Sequence, residues 1–343
     1  MSPIAVLLIL FFVTLFIGVP FAWSLTISCV ASLCMMSGYP LMTVVQKMYN
    51  GGAKYTLLAI FFFMLAGAIM QHGGISSRLV NFSKALLGHI RGGLSIAVLG
   101  VCMMFAALSG SSIATTAAIG GMMYPELVKE KYPEGYAAAL PVAGGTLGIV
   151  IPPSIVFVVY GATTGTSVSK LLMSGVIPGV MAGVFMCIYA YFYARKHNIP
   201  KSDRFDIKRL AVAFKESVWA LLMPIIILGG IYSGLFTHRE MTPDKLFRIS
   251  IDAVKGTANI LLLIMAASMF GYVLTVYQFP ALFTELMSTF ISGRITFLLF
   301  LNILLIILGM LMDSGAIILI IAPLVYPMAV SFGIDPVHLG CII

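Results

Sequence analysis

Charged residues cut this chain into long apolar runs, and the lengths of those runs set the pattern of elements. Residues 1–46 carry no Asp, Glu, Lys or Arg, enough for two spans, with Gly18-Val-Pro20 bending or ending the first. Residues 55–77 form another uncharged run, closed by Gly73-Gly74. Gly92 to Pro125 and Gly135 to Ser169 follow, then Leu171 to Ala194 and Val218 to Phe236. Crossing the hydrocarbon core takes about 20 apolar residues, which several of these runs exceed. The pattern predicts an all-α polytopic membrane protein.

Composition agrees and narrows the classes. Hydrophobic residues make up 60% of the chain and charged residues 9%, with a mean hydropathy of +1.07. Soluble domains are roughly 25% charged. The net charge of +8 does not call for nucleic acid, because the basic residues lie between apolar runs. There they read as topology signals and as contacts with membrane lipid headgroups. Cys29, Cys34, Cys102, Cys187 and Cys341 show no metal or disulfide spacing and read as packing residues. His72, His89, His197, His238 and His338 are scattered near the ends of runs. No Ser/His/Asp arrangement, P-loop or HExxH occurs, which disfavours an enzyme. The run from Pro3 lacks a basic n-region and a cleavage site, so it reads as a retained helix.

The most polar segment, 195–216, divides the chain. Its seven basic residues outnumber Asp203, Asp206 and Glu216, which assigns it to the cytoplasmic side. The parts before and after resemble each other. Tyr55-Thr-Leu-Leu-Ala-Ile lies over Asn259-Ile-Leu-Leu-Leu-Ile, Tyr124-Pro125 over Tyr326-Pro327, and Ser109-Gly110-Ser111 over Asp313-Ser314-Gly315. Two apolar sequences share some of this by composition, but the polar breaks and Tyr-Pro pairs align together. The reading is a first repeat over 1–194, a linker over 195–216 and an incomplete second repeat over 217–343. Paired interrupted segments of this kind point to a transporter binding site.

Three stretches carry candidate chemistry. The run from 92 to 125 is too long for one ordinary span, and Ser109, Gly110, Ser111 and Ser112 sit at its middle. This predicts helix, break, helix: a re-entrant hairpin whose tip frees carbonyls and hydroxyls, hard ligands suited to Na⁺. Such backbone is tolerated at membrane depth only inside protein or beside water. An isolated serine would instead read as helix–helix packing.

The run 295–334 repeats the design, with Asp313, Ser314 and Gly315 at its centre. Asp313 has no charged neighbour between Arg294 and Asp335, so it is an intramembrane carboxylate that calls for a cation or a partner. Proton coupling through Asp313 stays open beside sodium.

The third stretch runs from Pro141 to Ser154. Pro152-Pro153 removes two backbone donors just after Gly144, Gly145, Thr146 and Gly148, which predicts a broken helix over about 135–162. The N-terminus of its second half favours an anion such as a carboxylate. A proline kink is the alternative.

These motifs carry a resemblance. Leu108-Ser-Gly-Ser-Ser-Ile-Ala-Thr-Thr116, Gly145-Thr-Leu-Gly-Ile-Val-Ile-Pro-Pro-Ser154 and Gly229-Gly-Ile-Tyr-Ser-Gly-Leu-Phe-Thr237 resemble the large membrane subunit of tripartite ATP-independent periplasmic (TRAP) transporters. The resemblance implies inverted repeats with re-entrant hairpins and broken helices in an elevator-type, Na⁺-coupled importer of small organic acids in the bacterial inner membrane. It implies a small four-helix membrane partner and a periplasmic substrate-binding protein, with no cofactor beyond the coupling ion. Carried over, Ser109, Gly110, Ser111, Ser112, Asp313, Ser314 and Gly315 bind cation. Gly145, Thr146, Pro152, Pro153 and Ser154 lie beside the substrate.

Rival readings are a stand-alone sodium and dicarboxylate symporter of the same superfamily, an ion channel and a membrane enzyme. Two departures from the family pattern stand out. His238-Arg-Glu-Met-Thr-Pro243 follows Thr237 where a further apolar helix is expected, and no second Pro-Pro element occurs before Ile343. They are read as the loss of one crossing and of the C-terminal part, in a chain that by itself would not support uptake.

Overall fold

The computed structural model describes residues 3–35, 40, 42–72, 75–197, 199, 206–218, 222, 243–288, 291, 293–310 and 314–343. Among these residues the regular structure is helical throughout, with no strand. The stretch expected as a span over Val218–Phe236 falls almost wholly outside them, as do Gly73-Gly74, the Gly229–Thr237 motif and Asp313.

Contacts group the chain into two units that do not follow the order of the sequence. The first takes Met1–Ile60, Val156–Leu171 and Lys255–Ile343; the second takes Phe61–Ile155 and Leu172–Val254. Each therefore combines segments from before and after the basic linker.

In the first unit, α1 (Pro3–Phe16) and α2 (Phe21–Cys34) form an antiparallel pair. Gly18 takes φ +92° in the turn between them, a conformation that favours glycine. Leu7, Leu25 and Cys29 are fully buried in this pair. Ser24, Ser28 and Ser32 repeat every four residues on α2, so they share one face, and all three are buried. Their hydroxyls donate to backbone carbonyls of Val19, Leu25 and Pro3, which satisfies them away from water.

α3 (Met42–Gly52) ends in two glycines because α12 (Pro243–Val276) passes against them. A Cβ on Gly52 would lie 2.8 Å from Met265, and one on Gly51 would overlap the Ser268 side chain. α9 (Ile155–Thr164) meets α16 (Pro336–Ile342) through the Tyr160 hydroxyl, which donates to the Pro336 carbonyl at 3.0 Å. Asp335 caps α16 by accepting from the Val337 and His338 amides. α13 (Phe279–Ser288), α14 (Arg294–Gly309) and α15 (Ser314–Ser331) complete this unit.

The second unit is built on α6 (Gly93–Ser109), with α5 (Ile75–Leu87), α7 (Ser112–Lys129) and α8 (Glu134–Gly145) packed around it. Val98, Leu99, Cys102, Phe105 and Leu108 of α6 share one core with Ile119 and Met123 of α7 and Ala137 of α8. α4 (Leu58–His72) leads from one unit into the other.

α10 (Val168–Lys196) has 29 residues, about 43 Å at 1.5 Å each. It is long and apolar enough to cross a membrane, as are Ala253–Val276 and Ser314–Ser331. One side of α10 buries Ala190 and Ala194, while Ile177, Met181, Phe185, Ile188 and Phe192 stay open at helical spacing. Arg195 and Lys196 occupy its last turn, where positive charge complements the free carbonyls. The helix 207–218 (α11) follows and lies on α5.

Candidate functional site

The first hairpin turns within two residues. α6 ends at Ser109, Gly110 takes φ +61°, and Ser111 is extended before α7 begins at Ser112. The left-handed conformation at Gly110 costs a side chain about 1 kcal/mol or more. Here space also forbids one, because a Cβ would overlap the Pro153 carbonyl oxygen. The Gly110 carbonyl accepts from the Ile155 amide at 3.4 Å.

Hydroxyls organise the turn. The Ser111 hydroxyl accepts from the Ala114 amide at 3.3 Å and so caps α7. Thr115 Oγ1 donates to the Ser111 carbonyl at 2.8 Å and lies 3.0 Å from Ser109 Oγ. Either hydroxyl can donate in that pair, and the Ser109 hydroxyl also reaches the Ser111 carbonyl at 3.3 Å. Ser109 and Thr115 are buried, whereas Ser111 and Ser112 are half-buried.

Glycines of the next element allow this turn to be received. α8 runs to Gly145, a 3₁₀ turn covers Thr146–Ile149, and no helix covers residues 150–154 before α9. A Cβ on Gly148 would stand 2.6 Å from the Ser111 carbonyl oxygen. One on Gly145 would overlap the Thr116 hydroxyl and lie 3.2 Å from the Ser112 carbonyl. Backbone therefore meets backbone here, as in close helix contacts built from small residues.

The Pro152-Pro153 peptide bond is cis. Both prolines and Ser154 are buried, and the Ser154 hydroxyl donates to the Ile149 carbonyl at 2.6 Å, closing the break on itself. Thr146 is exposed and its hydroxyl turns back to the Ala143 carbonyl at 2.7 Å.

The structure thus brings Ser109, Gly110, Ser111 and Ser112 together with Gly145, Pro153 and Ser154 in one unit. Three residues outside the sequence-derived set belong with them: Thr115, Thr116 and Gly148. Thr115 lies four residues after Ser111, the spacing at which a helical threonine reaches back to a carbonyl. That spacing is a signal present in the sequence; the seating of Gly148 has none. Ser314 and Gly315 open α15 in the other unit and are half-buried. Asp313 lies outside the described residues.

Chemically, the first tip offers hydroxyl and carbonyl oxygens with no charged side chain among its described residues. Such oxygens are hard donors, matched to alkali and alkaline-earth cations rather than to softer metals.

Compared with known families, residues 8–243 and 234–343 match the tripartite ATP-independent periplasmic transporter, DctM component. The two matched segments overlap over residues 234–243, from within the Gly229–Thr237 motif to the stretch that follows it. The chain is 40% identical over 338 residues to the C4-dicarboxylate TRAP transporter large permease protein DctM of Pseudomonas aeruginosa, covering 93% of this chain and 79% of that protein. It is 40% identical over 377 residues to the protein of the same name from Vibrio cholerae, covering 98% and 83%. To the 2,3-diketo-L-gulonate TRAP transporter large permease protein YiaN of Escherichia coli it is 33% identical over 343 residues, covering 94% and 81%. These matches run through the hairpin tip and the Gly-rich break alike, and the chain belongs to the family of TRAP transporter large permease subunits, membrane transport proteins and not enzymes.

Proposed function

We propose that this subunit imports a small organic acid across the bacterial inner membrane, driven by Na⁺. It works with a small membrane subunit and a periplasmic substrate-binding protein, in keeping with the tripartite family. The observation that carries the reading is the oxygen cluster at the first tip, locked by Ser109, Ser111 and Thr115 and pressed onto Gly148 and Pro153. A neutral oxygen set exchanges a monovalent cation readily, because no fixed charge holds the ion.

Asp313, Ser314 and Gly315 are assigned a second cation site, in which the carboxylate adds formal charge. The substrate carboxylate is assigned to the broken helix around Gly145, Thr146, Pro152, Pro153 and Ser154, where a half-helix N-terminus favours an anion. A C4-dicarboxylate is the first substrate to test, since two relatives carry that substrate in their names.

The test is uptake of labelled succinate into proteoliposomes holding the complete transporter, with the Na⁺ concentration varied. Ser109→Ala with Thr115→Val is expected to raise the Na⁺ needed for half-maximal uptake about tenfold, roughly the worth of one lost strong contact. Asp313→Ala is expected to abolish Na⁺-driven uptake while the three proteins still assemble. Unchanged Na⁺ dependence in both variants overturns sodium coupling through these tips.

A further inference from the structure

The linker helix α11 is amphipathic in an unusual way: among the described residues one apolar face packs on protein and a second is largely open. Asp206 caps it, its carboxylate accepting from the Lys208 amide at 2.8 Å. Ala213 packs into a small core with Phe82 and Ala85 of α5, and the Ser217 hydroxyl donates to the Arg78 carbonyl at 2.9 Å. These contacts hold one side of α11 against α5.

Beside that side runs a second stripe. Ile207, Ala211, Phe214 and Val218 follow each other at spacings of four, three and four, so they align along one face. Ile207 is 69% exposed and Phe214 50% exposed, although Phe214 also touches the ring of Phe82 at 6.0 Å. Lys208 and Lys215 are exposed and project about 90° from this stripe by helical geometry. The same linker carries Arg195, Lys196, Lys201 and Arg204 just before the helix.

An open aromatic and aliphatic stripe flanked by lysines matches a bilayer surface. The stripe enters the boundary between headgroups and acyl chains, and the lysines remain at the level of the phosphates. Charge selects the occupant: a basic linker is held on the cytoplasmic side, where the leaflet is anionic. We infer that α11 lies in the plane of the membrane, with the stripe of Ile207, Ala211, Phe214 and Val218 inserted and Lys208 and Lys215 on anionic lipid phosphates. Because α11 is also fastened to α5, it ties that part of the second unit to the membrane surface.

Single cysteines at Ile207 and at Glu216, on the opposite side of α11, can carry an environment-sensitive fluorophore, with the signal of the parent chain subtracted. The full chain is placed in nanodiscs of phosphatidylcholine, with and without phosphatidylglycerol, and quenched with lipids bearing a nitroxide near the headgroup. Quenching at Ile207 is expected to exceed that at Glu216 by roughly threefold and to grow with phosphatidylglycerol. Lys208→Gln with Lys215→Gln is expected to reduce that growth roughly fivefold. On the unmodified chain, amide exchange over 207–218 is expected to slow when phosphatidylglycerol is added, a readout that needs no variant. Equal quenching at the two positions, or exchange unaffected by anionic lipid, overturns the inference. So does protection of Ile207 that arises only when the small membrane subunit is added, since the occupant is then protein.

Discussion

α6 of the hairpin in the second unit buries twelve of its 17 residues, whereas α14 buries Phe297 and Leu301 and leaves Ile295, Leu299, Ile303, Ile306 and Ile307 open. The sequence reading expects the two helices at matching places of two repeats, and both are strongly apolar. Hydropathy therefore does not separate them. Side-chain size does. α6 carries Gly93, Ser95, Ala97, Gly100, Ala106 and Ala107, while α14 is mostly Ile, Leu and Phe, with no alanine and its only glycine at the last position. Small residues let neighbouring helices approach, as where Ala106 meets Leu147 and Ile151. Large aliphatic side chains facing hydrocarbon cost nothing, because lipid tails are as apolar as they are.

The comparison can be broken most severely at the glycines at the ends of α6 and α14. Gly110→Ala places a side chain at positive φ and against the Pro153 carbonyl, so a loss of at least 1–3 kcal/mol is expected, roughly the cost of one strained backbone position. Gly309→Ala meets nothing within 4 Å and should be neutral or stabilising by up to about 1 kcal/mol. Thermal unfolding of both variants in detergent measures the gap, and equal losses would show that the first tip is no tighter than the end of α14.

A second contrast tests the helices themselves. Ala106→Leu overpacks a fully buried site and should cost about 1–3 kcal/mol. Leu299→Ala, at a position 60% exposed, should change stability by about 0.5 kcal/mol or less. Similar losses in the same unfolding assay would mean that α14 is covered by packing that its exposure does not reveal.

Within the first tip, Ser109→Ala removes the hydroxyl paired with Thr115, with its longer contacts to the Ser111 carbonyl and amide, but leaves the Thr115–Ser111 bond in place. A loss of about 1 kcal/mol is expected, the usual worth of one buried hydrogen bond. Thr115→Val removes both bonds, so a double-mutant cycle should show that the two changes are not additive. Additive losses would deny that the hydroxyls act as one network.

The smallest effect lies at the far end of α7. Lys84 bonds the Glu126 carboxylate at 2.7 Å, tying α5 to α7. That hydrogen bond and the charge of Lys84 hold the Glu126 carboxyl below its ordinary value. The contribution is complete above the ordinary carboxylate range and is lost as pH falls through the lowered value. Glu126 is half-exposed, so the pair is worth about 0.5 kcal/mol or less. Glu126→Gln should lower stability at neutral pH by up to that amount and leave acidic pH nearly unchanged, so the acid limb of the stability curve flattens.

Much of the architecture is legible in the sequence because membrane insertion depends on the chain itself. Runs of apolar residues between charges state that helices will form, since a lone strand or coil cannot satisfy its backbone in hydrocarbon. Ser109-Gly110-Ser111-Ser112 and Gly144-Gly145-Thr146 with Pro152-Pro153 stand out as interruptions, and together they mark the family. Read one stretch at a time, however, they are assigned to different tasks. The seating of Gly148 against the Ser111 carbonyl depends on two segments meeting almost forty residues apart, which no local spacing encodes. Thr115 lies between these cases. Its reach to Ser111 follows helical spacing, but its pairing with Ser109 requires the turn at Gly110.

The sequence by itself determined the solvent, the helical class and the family, because each depends on composition or on short motifs read along the chain. Only the tertiary structure decided which helices share a core. The two contact units draw on segments from both sides of the basic linker, and the first hairpin tip and the broken helix proved to be neighbours. The physical reason is that apolar side chains carry no address. Which of them face protein and which face lipid depends on how closely the backbones on either side can approach, and that is settled only when the small residues of one helix find those of another.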